Sequence, residues 1–298
     1  LEKDENNPRN GHFRGIKIYP ALGYHVFDED LLPLWLYCVQ RDIPITSHCI
    51  VGTIFYRRSI KNEWFRHPVF KDEEGNKMAM YAKSNFHLQK NFTHPLNYLV
   101  LLEPMFLNDL VKNSSDQIKR LFGYNPTNNT LERNLSTLKI NLAHYGGDDQ
   151  WEKHLESDRL EEAQELVEMP QIGIRMFAKQ SDPKAIDKAK PAILWNKVDW
   201  YAIISSLMLQ YKNVYADISY ILHEPEIAEL LNLTLSNQYL CKKVLFGTDY
   251  YVVRNHKSEK ELYAEIFNHL NASQLNQIAI DNPNKFLAIK GDTANILQ

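Results

Sequence analysis

The chain reads as an α/β protein built on a parallel sheet, and three observations predict this. Five short apolar runs, at 13–20, 43–48, 138–144, 214–219 and 244–249, are separated by helix-length amphipathic segments. Strands alternating with helices are joined by crossovers, which makes the sheet parallel. The interval from Lys17 to His48 is 31 residues, the length of one strand–helix–strand unit. Finally, the runs close on Lys17, His48, His144 and Asp249. Metal-ligating side chains gathered at the ends of parallel strands describe the catalytic face of a (β/α) barrel.

Each element has a local reason. The run 13–20 is stopped by Pro20, which cannot donate to a ladder. The segment 30–40 puts Leu31, Leu34, Trp35, Cys38 and Val39 on one helical stripe, and Pro33 falls in the first turn, where a missing N–H is tolerated. The run 43–48 ends at His48. The run 138–144 is apolar at alternate positions and is cut off by Gly146 and Gly147. The segment 151–168 is strongly charged with apolar residues about a turn apart, and predicts a surface helix. An apolar-striped helix is predicted over 200–209. Helices over 258–270 and 273–280 each begin at a serine suited to capping. The strands are too short for periodicity to separate them from buried helix, and it is their flanking turn signals that favour strand.

Composition excludes several classes. With 298 residues and 44% hydrophobic content the chain can bury a substantial core. A net charge of −3 gives no footprint for nucleic acid or a membrane surface. No apolar run approaches the roughly 20 residues that cross a bilayer. Cys38, Cys49 and Cys241 are too scattered for a disulfide framework or a cysteine zinc site. Free thiols fit a reducing compartment, so a cytoplasmic location is expected. A Gly-x-Ser-x-Gly elbow, a His-Glu-x-x-His helix, a Walker loop and a Gly-x-Gly-x-x-Gly turn are all missing from the sequence.

Two connections exceed what a barrel needs. His48 to His144 is 96 residues and His144 to Asp217 is 73, against roughly 30 for a simple unit. The segments 51–136 and 145–213 are therefore read as insertions on the catalytic face, covering the substrate or forming an oligomer contact. In the first, 56–95 is rich in aromatic and basic residues, 96–110 is helix-like, and 113–129 reads as a polar loop. The second holds the charged helix, the run 171–177 and Lys/Asp-rich turns up to Pro191.

Six motifs stand in order: Gly15-Ile-Lys-Ile-Tyr-Pro20, Pro44-Ile-Thr-Ser-His48-Cys49, Leu142-Ala-His144-Tyr-Gly-Gly147, Tyr215-Ala-Asp-Ile-Ser219, Leu245-Phe-Gly-Thr-Asp249 and Asp281-Asn-Pro-Asn-Lys-Phe286. Spanning 15–287, they resemble the amidohydrolase-related family of metal-dependent hydrolases. The resemblance implies a distorted (β/α)8 TIM barrel with one or two divalent metals, zinc foremost, at the strand ends. It would place Lys17 on strand four, His48 on strand five, His144 on strand six and Asp249 on strand eight. The family's first strand carries a His-x-His pair or its like, and this chain has none. It starts at Leu1-Glu-Lys-Asp, which resembles the end of a helix before strand four. The expectation is one barrel domain over 1–298 lacking its first three strands: the C-terminal portion of a longer protein, or a chain whose open side another chain or copy covers.

The resemblance also assigns roles. His48, His144 and Asp249 would ligate the metal, which lowers the pKa of a bound water to near 7. Asp249 would accept that water's proton, and His144 would bind metal or polarise the substrate carbonyl. Lys17 would be a carbamate bridging two metals or a contact for a substrate acid; otherwise it is a salt-bridged or snorkelling lysine. Asp217 is either a partner orienting a ligand or a structural acid. Tyr19, His25, Arg175 and Tyr250 are candidate substrate contacts. His12, His67, His87, His94, His154, His223, His256 and His269 are expected at the surface, with His87 and His94 in the covering segment. The main expectation is hydrolysis of a C–N or C–O bond of a small molecule (amide, ester or lactone), with neither nucleic acid nor membrane as partner and with pairing of copies left open. The alternatives are a metal-dependent decarboxylase acting on aromatic acids and a non-catalytic binding or scaffold protein.

Overall fold

A computed structural model of the chain describes residues 13–52, 54–156, 161–179, 181–182, 184–224 and 227–289. The expected helix end at 1–4 and His12 lie outside the described residues. Five strands form one parallel sheet: β1 (Ile16–Ile18), β2 (Ile45–His48), β3 (Ile140–Ala143), β4 (Val214–Asp217) and β5 (Val244–Leu245). Their order in space is their order in the chain, every neighbouring pair is parallel, and β1 and β5 are the edges. Parallel crossovers are right-handed, so an order that never reverses puts them all on one side. A doubly wound sheet instead reverses its order at a switch point. The sheet is thus an open arc, as five strands require.

Alternation along the strands divides the two faces of the arc. Ile45, Ile140, Leu142, Val214 and Ala216 join the main core. There they meet Trp35 and Leu36 of the helix Leu32–Arg41, and Ile203 and Leu207 of the helix Trp200–Gln210. The register places Lys17 beside Thr46, Thr46 beside Asn141, and His48 beside Ala143. These residues face the other way, with Asp217. Across this face Asn141 Nδ2 donates to Asp217 Oδ2 at 2.6 Å and to Thr46 Oγ1 at 3.4 Å. One face is apolar core, and the other is a polar row running toward the C-terminal ends of the strands.

The predicted helices over 30–40, 200–209 and 258–270 are present, the last as Glu259–His269 with Ser258 and Glu261 in a reciprocal capping box. Three segments need correction. The charged segment 151–168 contains two helices, Asp148–Glu156 and Glu161–Glu168. Trp151 is fully buried and its Nε1 donates to the Tyr145 carbonyl at 3.0 Å, so the first helix belongs to the core. The helix expected from Ser273 is capped instead by Asn271, whose side chain accepts from Gln274 N, and it runs from Ala272 through a π-helical turn at Gln277–Asp281 into Asn282–Phe286. The reading of 113–129 as loop misses the helix Asp116–Phe122 and the hairpin of Tyr124–Asn125 with Thr130–Leu131.

The segment 51–136 also holds the hairpin of Arg66–Lys71 with Lys77–Ala79 and the helices Asn85–Thr93 and Pro104–Lys112. Tyr56 N donates to the Ala21 carbonyl at 2.8 Å, and Cys49 Sγ lies 3.5 Å from the Thr93 carbonyl. The start of this segment and the helix Asn85–Thr93 therefore lie against the C-terminal ends of β1 and β2. Asn282 Nδ2 donates to the carbonyls of Cys241 (2.7 Å) and Val244 (2.6 Å), so the last of the six motifs ties its helix to β5. No helix among the described residues is long and apolar enough to cross a membrane.

Candidate metal centre

Strand β2 delivers His48 at its last residue, buried, with its ring stacked on Tyr19 at 3.8 Å between centroids and 18° between planes. Tyr19 follows β1 directly, and its N–H donates to the Tyr24 hydroxyl at 2.8 Å. Burial first, and then the charge of Asp249, push the Tyr19 phenol up to about 12.

His144 arrives by a different route. Residues 144–147 all have positive φ: 67° at His144, 45° at Tyr145, 88° at Gly146 and 95° at Gly147. Glycine adopts this conformation freely, whereas His and Tyr are strained in it and need surroundings that hold them. His144 N donates to Asp217 Oδ1 at 3.1 Å, and the Tyr145 hydroxyl meets Ser205 Oγ at 2.8 Å. At Gly147 a Cβ would lie 2.4 Å from Ile50 Cγ1. The turn carries the His144 ring off its own strand to His48, where His48 Nδ1 and His144 Nε2 lie 3.2 Å apart.

The surrounding bonds fix which nitrogen of His144 carries hydrogen. His144 Nδ1 lies 3.2 Å from the Ser219 carbonyl and 2.9 Å from Ser219 Oγ. A carbonyl only accepts, so Nδ1 is the N–H and Nε2 presents a lone pair toward His48. The Ser219 hydroxyl in turn donates to Asp217 Oδ1. Ser219 N (3.1 Å), His144 N and Asn141 Nδ2 bring the donors converging on that buried carboxylate to four. Asp217 therefore orients His144, directly and through Ser219. Sequence reasoning considered this role for Asp217 and missed Ser219 and Asn141. The one signal available was Asp217-Ile-Ser219, whose spacing puts two polar side chains on one side of an extended chain.

Electrostatics keep both rings neutral. Burial lowers His48 to about 3, with His144 and Lys17 adding to the effect. Burial also lowers His144, against the opposing pull of Asp217. Asp249 is half-buried, stands at φ 46° where the chain leaves the sheet, and acts electrostatically on Tyr19, His144 and Tyr220. Lys17 is exposed and acts on both histidines, with no hydrogen bond or ion pair among the described residues. Of the four predicted residues, His48 and His144 are in contact, while Lys17 and Asp249 reach them through charge alone.

The other predicted site residues divide. Tyr19 belongs to the site, and Tyr250 follows Asp249 at the start of the helix Tyr250–Val253. His25 is buried away from it, stacked on Phe27 (4.8 Å between centroids) and edge-on to Phe92. Arg175 lies elsewhere. Its neighbour Ile174 bonds to Ser206 and Gln210 of the helix that leads into the start of β4, so Arg175 sits toward the opposite ends of the strands. Among the histidines expected at the surface, His67, His94, His154 and His223 are buried. His67 Nδ1 accepts from Val69 N and Phe70 N, and His154 pairs with Asp199 at 3.1 Å, bonds that make burial tolerable.

The donor set fits a divalent cation. Two nitrogens on one tetrahedral ion, each at about 2.0–2.1 Å, lie roughly 3.3 Å apart, close to the 3.2 Å between His48 and His144. With Nδ1 turned to the ion, His48 carries its hydrogen on Nε2, which is buried without a hydrogen-bond partner. Neutral imidazoles suit zinc, manganese or iron, but His48, His144 and Asp249 do not bring three ligand atoms within 4.8 Å of one another, so the structure pairs the two rings and leaves the carboxylate further off.

No protein-family profile and no curated protein matches the chain in sequence. Among solved structures it is similar to an amidohydrolase from Burkholderia multivorans with bound HEPES, at 11% identity and a TM-score of 0.38, over 93% of this chain and 65% of that one. It is also similar to a dihydroxybenzoic acid decarboxylase from a Polaromonas species with bound manganese and the inhibitor 2-nitroresorcinol, at 12% identity and a TM-score of 0.39, over 90% of this chain and 56% of that one. The chain spans less than two thirds of the length of either structure. At this similarity neither likeness assigns a role to any residue here.

Proposed function

We propose that this chain forms the catalytic wall of a metal-dependent hydrolase of the amidohydrolase type, cleaving a C–N or C–O bond of a small molecule. The observation that carries the reading is the 3.2 Å approach of His48 Nδ1 to His144 Nε2, between rings that burial keeps neutral. His48, His144 and Asp249 would hold the cation, and three protein ligands leave a four-coordinate ion one open position. When bound, such an ion supplies Lewis acidity and brings the pKa of a water to near 7.

The chain's own residues supply the rest. Asp249 takes the proton of the attacking water on its carboxylate. Asp217 and Ser219 hold His144 in one tautomer, so its Nε2 keeps both its lone pair and its direction. Lys17 offers an exposed positive charge to an acidic group on the substrate. Tyr19 covers one face of His48; its raised pKa keeps the phenol protonated and able to donate.

Metal analysis of the purified chain, with turnover of amide, ester and lactone panels in ¹⁸O-labelled water, tests this. One ion lost in both His48→Ala and His144→Ala, with label entering the product, is the expected result. CO₂ release without label uptake would make the enzyme a decarboxylase using the same residues. Equal metal content in wild type and both variants would overturn the reading.

A further inference from the structure

We infer that the chain carries a second divalent-cation site, made by Asp148, His223 and Glu224. Their ligand atoms all lie within 4.8 Å of one another. Asp148 opens the helix that follows β3, and His223 and Glu224 end the short helical turn Ile221–His223 that follows β4. All three stand beyond the C-terminal ends of adjacent strands, and none belongs to the His48–His144 pair.

The geometry of His223 distinguishes the cluster from a chance meeting of acids. The imidazole is buried, and its Nδ1 lies 2.5 Å from the Tyr220 carbonyl. A carbonyl only accepts, so Nδ1 carries the hydrogen and Nε2 turns outward. Nε2 faces Glu224 Oε1 at 3.2 Å, and without a charge between them its lone pair and the carboxylate oxygen would be two acceptors. Two acceptors repel at this distance unless a positive charge lies between them, either a metal ion or a second ring proton. The spacing is that of two ligands sharing one ion at about 2.0–2.2 Å, and a backbone carbonyl on the far nitrogen is the usual support of a metal-bound histidine. Asp148 is half-buried.

The two carboxylates of the cluster favour the ion over the proton. One ring proton balances one of their charges, whereas a divalent ion balances both and binds both at once. The donor set of one imidazole and two carboxylates suits zinc, manganese or iron(II).

The test counts Zn²⁺ and, separately, Mn²⁺ bound to the metal-stripped full chain by calorimetry and elemental analysis. The proteins are wild type, His223→Ala, Glu224→Gln and His48→Ala. Wild type should bind two equivalents. His223→Ala and Glu224→Gln should each lose one or weaken it more than tenfold while the other remains, and His48→Ala should remove the other. Unchanged stoichiometry and affinity in both His223→Ala and Glu224→Gln overturns this site. Unchanged binding in His48→Ala overturns the catalytic reading instead. If His223→Ala does not fold, Glu224→Gln carries the count, and ¹⁵N spectra of His223 in wild type add a direct readout. Saturating Zn²⁺ should shift Nε2 as a ligated nitrogen; a ring still protonated at both nitrogens would reduce the cluster to an ion pair.

Discussion

Ser219 Oγ lies 2.9 Å from His144 Nδ1, although 75 residues separate the two in the chain. The hydroxyl gives its own proton to Asp217, so it receives one from the imidazole and passes the carboxylate's influence to the ring. Ser219→Ala removes this link and leaves the Ser219 carbonyl at 3.2 Å as the remaining partner. Losing an outer partner of a metal-bound histidine weakens metal binding by about 10- to 100-fold. We expect a loss near the lower end for Zn²⁺, with unchanged circular dichroism. Wild-type affinity would mean that the carbonyl alone orients His144.

Asp249→Asn tests the base. The backbone there is left-handed, at φ 46°, a conformation asparagine tolerates as well as aspartate does. The side chain makes no capping hydrogen bond to the helix it precedes. The amide therefore costs little stability but can neither take a proton nor bring charge to a cation. Turnover should fall by about 10²- to 10⁴-fold, with a melting temperature close to wild type. Near-normal rates would remove Asp249 from the reaction.

The strands were legible because each couples a β-prone run to a polar residue at its exit, and two of those residues, His48 and His144, meet. What could not be read is the contact set that makes them a site. Asp217, Ser219 and His144 meet across two strands, and local periodicity carries no information about pairing at that range. The left-handed turn at His144 and Tyr145 contradicts the preferences of both residues; only Gly146 and Gly147 hinted at it. Residue type alone sends histidines 67, 94, 154 and 223 to the surface, yet at His67 and His154 hydrogen bonds to the distant Asn97 and Asp199 help to compensate burial. The helix Asp116–Phe122 had its signals, Ser115 as N-cap and Gly123 in the left-handed C-cap, but its polar surface disguised it as loop.

Gly147→Ala tests the turn itself. The substitution places a methyl 2.4 Å from Ile50 Cγ1 at φ 95°, so a steric and a conformational penalty act together. Urea denaturation should show a loss of about 2–4 kcal/mol. Ile50→Ala in the same chain relieves the clash and leaves the backbone term, so the double variant should be less destabilised than the sum of the singles. Strict additivity would show that the methyl and Ile50 do not meet.

His25 governs part of the acid response. It is buried, stacked on Phe27, and neither ring nitrogen has a hydrogen-bond partner. Burial lowers its pKa to about 3 and does the same to His94. The unfolded chain takes up these protons below about pH 6.5, while the folded chain refuses them until about pH 3. Folding stability from these rings is thus complete above about pH 6.5 and shrinks as pH falls toward 3, because the unfolded state binds more protons in that window. His25→Phe removes one such group and two unbonded nitrogens while keeping an aromatic plane against Phe27. Stability at pH 7 should hold or rise by about 1 kcal/mol, and the loss between pH 6.5 and 4 should be shallower than in wild type. A loss as steep as wild type would place the His25 titration in the folded chain near its unfolded value, and with it some partner for the ring.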